Sequence, residues 1–375
     1  MLRDFQIQWP DGEVRELRGR LAATRWTDAV TRDWSYGTEA GFLEALVAHW
    51  SDGYEWVGRL HALNAQPHRM ATIDGCDIHF LHHRADRGDA IPLLLMNGWP
   101  SSFVEFERIV PLLTHGTPSY DLVIPSAPGF GYSSRPTRPY EFDPVHLMPK
   151  LMTLLGYERF ALAGTDIGAG IATRIALQAP HRVISVHVSS VAEKPASAGD
   201  RRSDAELAYE QQKRDWSQEE GGYQAIQNSR PQTLAFALAD SPAGMAAWIV
   251  EKFRAWSDCG GDVLSVWPMD VLIDNLMIYW MSGTIGSSIR YYFDATRLRP
   301  PLRHDDYVDR PTGVAIWPAD LAHPPRELAE RLYDVRHYTE FARGGHFPAW
   351  EAPKAYAEDL RRLSLEPGAS RGAAG

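Results

Sequence analysis

The chain has 375 residues, of which 44% are hydrophobic and 23% are charged. This composition is typical of a globular protein with a large apolar core, and it excludes a disordered or low-complexity chain. The 38 basic and 48 acidic residues give a net charge of −10, which argues against nucleic acid or an anionic membrane as the main partner, because both attract basic surfaces. The sequence has only two cysteines and no long apolar run, so we expect a cytoplasmic protein.

The first region, residues 1–85, has amphipathic stretches and several tryptophans. Between residues 39 and 60, apolar side chains recur at the three- and four-residue spacing of a helix that buries one face. We therefore predict an N-terminal helical meander that packs on the rest of the protein. A strand-like stretch with alternating apolar and polar side chains follows it at residues 77–83.

The second region, residues 86–190, alternates short apolar runs with helical patterns. The runs lie at residues 91–96, 122–127, 160–163 and 183–189, and several of them end at glycine or proline. Strands that alternate with helices predict βαβ units, and hence a mostly parallel sheet with helices on its faces.

From residue 191 to residue 298 the pattern changes to charged helices that contain tryptophan, and strand-like runs return only afterwards. We interpret residues 191–298 as a helical lid inserted between two parts of one α/β core, residues 86–190 and 299–366. The last residues, 367–375, are rich in Gly, Ala and Ser and are expected to be disordered.

The turn after the run at 160–163 reads Gly-Thr-Asp-Ile-Gly, with Asp166 at its centre. Glycine on both sides of a central residue is typical of a tight strand-to-helix turn that presents a nucleophile. An ionised carboxylate at the start of the following helix can attack carbon and form an ester. The simpler interpretation, an Asp that caps this helix, stays open on these five residues alone.

A base and its acid partner form the second candidate group. In hydrolases with this type of turn the chain order is nucleophile, acid, histidine. His346, in Gly-Gly-His-Phe, lies beyond the lid, and an imidazole suits a general base. We expect Asp320, at the end of a predicted strand, to orient that imidazole. Asp334 is a rival for this role, whereas Glu351 follows the histidine and breaks the order.

The loop Asn-Gly-Trp-Pro at residues 97–100 directly follows a buried type of strand. We expect the backbone N–H groups of Trp99 and Ile167 to form an oxyanion hole, although the loop by itself also fits an ordinary strand-ending turn. The Trp99–Pro100 bond is a candidate cis peptide. In this order, with a lid between the sheet halves, the signals predict an α/β-hydrolase fold, a mostly parallel sheet flanked by helices.

At these motifs the sequence resembles the microsomal-type epoxide hydrolases and their bacterial relatives. Residues 97–100, 164–168 and 343–347 resemble the HGWP, nucleophile and histidine motifs of that family. The other similar segments are residues 5–56, which resemble the region before the core, 127–133, and 311–320 around the acid. The lid segment 287–292 resembles the one that holds a catalytic tyrosine in the family, which falls on Tyr292.

The resemblance implies a reaction in two steps without a metal or a cofactor. Tyr292 donates a hydrogen bond to the epoxide oxygen while Asp166 attacks a ring carbon, which gives an alkyl-enzyme ester. His346, held by Asp320, then activates a water molecule. The water hydrolyses the ester at the oxyanion hole, and a vicinal diol leaves.

Three positions depart from the family pattern. The family usually has a second lid tyrosine, and the similar segment here carries Trp248, whose indole donates a hydrogen bond but cannot release a proton as a phenol does. Asn97 replaces the usual His of HGWP, which we expect to affect loop support. Ile167 replaces a common Trp, which changes the pocket. Trp248, Trp99 and Phe347 are the predicted pocket residues.

Two alternatives to an epoxide hydrolase remain from the sequence. A haloalkane dehalogenase would use the same three catalytic residues, but it needs halide-binding N–H donors, often from a Trp at the position of Ile167. A non-catalytic ligand-binding protein on the same fold is supported only by the replaced tyrosine. The preferred partners are a small apolar or aromatic epoxide and water. We expect neither nucleic acid nor a membrane as a partner, and a homodimer is left open.

Overall fold

The computed structural model describes residues 1–195 and 201–366. At the centre of these residues lies a sheet of nine strands in the spatial order β1-β2-β3-β5-β4-β6-β7-β8-β9. The strands are β1 (Leu2–Asp4), β2 (His68–Ile73), β3 (Cys76–His83), β4 (Ile91–Met96), β5 (Tyr120–Pro125), β6 (Phe160–Gly164), β7 (Val183–Val188), β8 (Val308–Ile316) and β9 (Tyr333–Glu340). The pairings among β1, β2, β3 and β5 are antiparallel and the others are parallel, which confirms the predicted mostly parallel sheet.

The central strands are covered on both faces, and every residue of β5, β6 and β7 is buried. Parallel strands with helices on both sides therefore read as continuous apolar runs in the sequence. One apolar cluster lies under the helices Pro144–Leu154 and Asp166–Gln178, and the other lies between the sheet and the lid. The core helices are α4 (Val110–Thr114), α5 (Pro144–Leu154), α6 (Asp166–Gln178), α13 (Arg326–Glu330), α14 (Pro348–Glu351) and α15 (Pro353–Ser364).

The N-terminal helices pack on the lid. They are α1 (Asp11–Ala22), α2 (Ala40–Ala48) and α3 (Trp56–Asn64). The Thr38 hydroxyl donates to the Ala247 carbonyl at 2.7 Å, and the Tyr54 hydroxyl donates to Asp274 Oδ1 at 2.6 Å. Arg59 also forms an ion pair with the buried Asp274 carboxylate. These contacts anchor the lid to the N-terminal region.

The predicted boundary at residue 85 needs correction. The helical part ends at Asn64, and the strands β1, β2 and β3 all belong to the central sheet. β3 pairs antiparallel with β5, with Leu81 opposite Ile124. The edge of a parallel sheet leaves backbone N–H and C=O groups unpaired, and these N-terminal strands satisfy them.

The lid is helical and enters the chain between β7 and β8. Its helices are α7 (Asp204–Glu219), α8 (Gly222–Gln227), α9 (Pro231–Asp240), α10 (Pro242–Trp256), α11 (Met269–Ser282) and α12 (Ile285–Phe293). A capping box of Ser203 and Glu206 begins α7. Gly283, in the left-handed conformation with φ of 64°, ends α11, so that the chain turns at once into α12, which carries Tyr292.

The predicted disordered tail, residues 367–375, lies outside the described residues. Among the residues with described structure, no single helix has the length and hydropathy to cross a membrane. The pair α9 and α10, bent by 117°, meets that criterion only when the two helices are counted together.

Candidate active site

The turn that carries Asp166 joins β6 to α6 and holds this residue in the left-handed region, with φ of 49°. A non-glycine residue adopts this conformation only when its surroundings impose it. An added Cβ at Gly164 would overlap the backbone of Gly168, and one at Gly168 would overlap the Met96 carbonyl. The two glycines therefore allow the close approach of strand and helix that pushes the Asp166 side chain out of the turn.

One oxygen of the Asp166 carboxylate is held by the backbone. The Trp99 N–H donates to Asp166 Oδ1 at 3.0 Å, and the Ile167 N–H is a second backbone donor to this carboxylate. Burial raises the pKa of Asp166, while the nearby His346 and the two N–H groups act in the opposite direction. The structure thus brings the two predicted oxyanion donors, Trp99 and Ile167, to the candidate nucleophile. The Trp99–Pro100 bond is cis, as expected.

His346 lies between two carboxylates. Its Nδ1 is 2.6 Å from Asp320 Oδ1, and its Nε2 is 3.8 Å from Asp166 Oδ2. Nε2 is buried and has no hydrogen-bond partner in the described part of the chain. Burial alone lowers the pKa of His346, but the charge and hydrogen bond of Asp320, together with the charge of Asp166, raise it to about 9. Nε2 is therefore the ring nitrogen that is free to act beside Asp166.

The structure separates the acid candidates. Asp320 Oδ1 contacts the imidazole and accepts the Leu321 N–H at 2.7 Å. Asp334 binds Arg336 at 2.9 Å on β9. Glu351 accepts the backbone N–H groups of Phe347 and Asp258 at 2.9 and 2.6 Å, respectively, and so fixes the loop that carries the histidine. Asp320 is the acid that the fold places against His346.

Two lid tyrosines face the nucleophile, one more than the sequence analysis found. The rings of Tyr292 on α12 and Tyr223 on α8 have centroids 6.0 Å apart, and the Trp99 ring stacks on Tyr223 at 5.5 Å. Burial raises the pKa of both phenols, and the Asp166 carboxylate raises it further. Both hydroxyls therefore remain protonated donors beside Asp166.

Tyr223 corrects the interpretation of Trp248. The Trp248 indole N–H donates to Gln227 Oε1 at 3.1 Å, so this side chain does not replace the second lid tyrosine. The available sequence signal for Tyr223 is the pair Gly221-Gly222, which lies directly before it where α8 begins. That signal is too general to have distinguished this tyrosine from the other 14 in the chain.

A cavity of about 410 Å³ opens onto these groups. Its walls include Asp166, Tyr209, Trp216, Tyr223, Tyr292, Asp320, Leu321 and Pro324. None of the three predicted pocket residues is in this wall. The Phe347 ring stacks on the Phe253 ring of α10, with ring centroids 4.7 Å apart. The buried Trp99 ring stacks on Tyr223 and contacts Tyr292 edge to face, so it supports both tyrosines. Other aromatic residues of the lid, Tyr209, Trp216, Tyr223 and Tyr292, therefore line the cavity in place of the three that were expected.

A larger cavity, of about 550 Å³, lies where residues 136–142 meet the lid. It contains none of the catalytic candidates, so the smaller cavity is the candidate active site. Among the described residues, His187, His337 and Asp359 bring three possible metal ligands within 4.8 Å of one another. Asp359 Oδ2 accepts a hydrogen bond from His187 Nε2 at 2.7 Å. This cluster joins β7, β9 and α15 and is not part of either cavity wall.

Comparisons with known proteins agree with this geometry. The family described as "Epoxide hydrolase N terminus" matches residues 2–106, and the family described as "alpha/beta hydrolase fold" matches residues 91–243. A protein of Stigmatella aurantiaca that carries an epoxide hydrolase name is 36% identical over 373 residues, with 95% of this chain and 83% of that protein covered. Epoxide hydrolase 1 of Sus scrofa is 32% identical, with 96% and 88% covered.

Solved structures show the same similarity. The juvenile hormone epoxide hydrolase of Bombyx mori has a TM-score of 0.87 at 28% identity, over 97% of this chain and 94% of the other. The Aspergillus niger epoxide hydrolase has a TM-score of 0.85 at 25% identity, over 97% and 96%. The chain therefore belongs to the epoxide hydrolase family, with the α/β-hydrolase fold, and it is an enzyme that adds water to an epoxide.

Proposed function

We propose that this enzyme converts an apolar or aromatic epoxide into a vicinal diol through an ester of Asp166. The observation that supports this most strongly is that the two oxygens of the Asp166 carboxylate have different neighbours. Oδ1 is held by the Trp99 N–H, while Oδ2 lies near His346 in a cavity whose wall also contains both lid tyrosines. A carboxylate in this setting can act as a nucleophile with one oxygen and carry a developing charge on the other.

In the first step, Asp166 Oδ2 attacks a ring carbon of the epoxide and forms a C–O bond. The bond between that carbon and the ring oxygen breaks, and its electron pair goes to the oxygen. Tyr223 and Tyr292 donate hydrogen bonds to this oxygen, and one of the two phenols transfers its proton to it as the C–O bond breaks. The raised pKa of both phenols suits hydrogen-bond donation more than early proton loss.

In the second step, His346 Nε2 takes a proton from water, and the hydroxide attacks Cγ of the ester. The negative charge that develops on Oδ1 is stabilised by the N–H groups of Trp99 and Ile167. Collapse of this intermediate breaks the bond between Cγ and the alkyl oxygen, which takes the proton of the imidazolium and leaves as the diol. The Asp166 carboxyl that forms returns its proton to the phenolate, which restores the enzyme. Asp320 stabilises the imidazolium in the meantime.

The cavity supports a substrate with an apolar or aromatic group beside the epoxide. Tyr209, Trp216, Leu321 and Pro324 belong to its wall, and such surfaces gain free energy when they bury apolar area. Halide release would need N–H donors in the cavity, and the Trp248 N–H is already bonded to Gln227. The cytoplasmic location and the oligomeric state stay predictions.

The test is to trap the ester. In His346→Gln, hydrolysis should stall while alkylation continues, so incubation with styrene oxide should add the mass of the whole epoxide to the peptide that contains Asp166. The double variant His346→Gln/Asp166→Ala is the control and should gain no mass. An adduct formed only from a haloalkane, with loss of the halide, would contradict epoxide hydrolysis, and an adduct on another residue would contradict the role of Asp166.

A further inference from the structure

The peptide that supplies the Trp99 N–H is itself hydrogen-bonded at its other end. Its carbonyl belongs to Gly98, and the Asn97 amide Nδ2 donates to this oxygen at 2.9 Å. The Ser101 hydroxyl is 3.2 Å from the same oxygen, and Asn97 Nδ2 also lies 3.1 Å from Ser101 Oγ. The Asn97 and Ser101 side chains therefore both contact the carbonyl oxygen of the peptide whose N–H belongs to the oxyanion hole.

The planarity of the peptide links these contacts to the nucleophile. The Gly98 C=O and the Trp99 N–H belong to one rigid unit, so a side chain that fixes the carbonyl also fixes the direction of the N–H. Hydrogen bonds to the carbonyl also polarise the unit and make its N–H a stronger donor. The N–H in question is the one that donates to Asp166 Oδ1 at 3.0 Å.

The two side chains are themselves anchored. Ser101 Oγ lies 2.5 Å from Oε2 of Glu105, a residue that is 2% exposed. Ser101 Oγ donates to this Glu105 oxygen and accepts a hydrogen bond from Asn97 Nδ2 at 3.1 Å, so that Glu105 anchors Ser101 and Ser101 anchors the Asn97 amide. The lid also fixes two later carbonyls of the loop, since Asn275 Nδ2 donates to the Pro100 oxygen at 2.8 Å and the Tyr279 hydroxyl to the Ser101 oxygen at 3.2 Å.

We propose that Asn97 and Ser101 are positioning residues that clamp the Gly98–Trp99 peptide and thereby promote hydrolysis of the ester, but not its formation. The inference rests on the proposed function, because it concerns the ester of Asp166. It also gives a role to Asn97, which stands where the resembling family has His.

The clamp is expected to affect the barriers to ester formation and ester hydrolysis in opposite directions. In ester formation, negative charge leaves the Asp166 carboxylate, so a strong donor at Oδ1 stabilises the starting state and does not help the reaction. In ester hydrolysis, negative charge develops on Oδ1, so the same donor lowers the barrier. A substitution that merely disturbed the loop would slow both ester formation and ester hydrolysis.

The experiment measures the two rate constants separately in Asn97→Leu, in Ser101→Ala and in the control Ser102→Ala. Ser102 lies in the same loop, and its buried hydroxyl has no hydrogen-bond partner within the described ranges. Alkylation by styrene oxide is followed by mass spectrometry in the His346→Gln background. Hydrolysis is followed by rapid quench in single turnovers with His346 intact.

We expect ester hydrolysis to slow about 10-fold or more in Asn97→Leu and less in Ser101→Ala, a fraction of the effect of deleting an oxyanion donor. Alkylation should stay within about 2-fold or become slightly faster, and Ser102→Ala should change neither rate. Equal slowing of both steps, or unchanged hydrolysis in both variants, would overturn the proposal. If His346→Gln alone formed no ester, the proposed function would fail instead.

A spectroscopic measurement tests the polarisation without kinetics. In the ester trapped in His346→Gln, the carbonyl of Asp166 accepts the hydrogen bond of Trp99, which lowers its stretching frequency. We expect the infrared band of ¹³C-labelled ester to move to higher frequency in Asn97→Leu and to stay in place in Ser102→Ala. A band that does not move in Asn97→Leu would contradict the clamp even if the rates had changed.

Discussion

The candidate catalytic groups of the core and those of the lid could be located from the sequence to different degrees. Asp166, Asp320 and His346 come from three loops at the carboxyl ends of parallel strands, and each was assigned from a short motif. In the lid, Tyr292 was assigned by resemblance, Tyr223 was missed and Trp248 was assigned wrongly. The core motifs need particular backbone conformations, which restrict the sequence. A lid residue needs only a helix whose orientation directs its side chain into the cavity.

The largest expected effect tests the core. Asp166→Ala removes the nucleophile and should lower kcat by about 10⁴-fold or more, because no other group can form the ester. Asp334→Ala, which removes the rival acid on β9, should leave kcat nearly unchanged. Steady-state turnover of one epoxide compares the two variants. Measurable turnover of Asp166→Ala near the parent rate would contradict the core assignment.

The second prediction concerns the backbone of the same turn. Gly168→Ala places a Cβ against the Met96 carbonyl and should lower the free energy of unfolding by about 3 kcal/mol or more. Gly170→Ala, two residues later in α6, meets nothing within 4 Å and should raise it by up to about 1 kcal/mol. Urea denaturation measures both variants. Equal effects at the two positions would show that the close approach of strand and helix is not what requires glycine at 168.

The third prediction addresses the lid. Tyr223→Phe and Tyr292→Phe should each slow alkylation about 10²-fold, since each removes one donor to the epoxide oxygen. Trp248→Phe should change alkylation less than about 3-fold, because its N–H contacts Gln227 and not the cavity. Single-turnover ester formation separates these outcomes. A larger effect in Trp248→Phe than in Tyr223→Phe would restore the sequence-based assignment.

The fourth and smallest effect is a pKa shift. The charges of Asp320 and Asp166 raise the pKa of His346 to about 9, so the free enzyme should hold an imidazolium below that pH. Asp166→Ala removes one of these charges and should lower the pKa of His346, as conversion to the neutral ester should in the reaction. An NMR titration of the His346 ring measures the shift. An unchanged pKa in Asp166→Ala would show that the carboxylate at 3.8 Å does not act on the imidazole.

The mostly parallel sheet was predicted from the sequence and is confirmed, and the sequence also indicated the helical insertion between β7 and β8, the tight turn at Asp166 and the Trp99 loop that contacts it. These features depend on local rules: apolar runs for buried strands, glycines where backbones approach, and a fixed chain order of nucleophile, acid and base. Even the cis peptide at Trp99–Pro100 could be anticipated, because only an X–Pro bond forms it readily.

The three-dimensional fold, and no local pattern, brings together the side chains that meet across the lid. It placed Tyr223 beside Tyr292, turned Trp248 to Gln227, packed Phe347 on Phe253, and joined strands of the first 85 residues to the sheet. It also showed Asn97 and Ser101 on the carbonyl behind the oxyanion hole. Such contacts depend on how helices cross and rotate against one another, and the spacing of residues along one helix does not encode them.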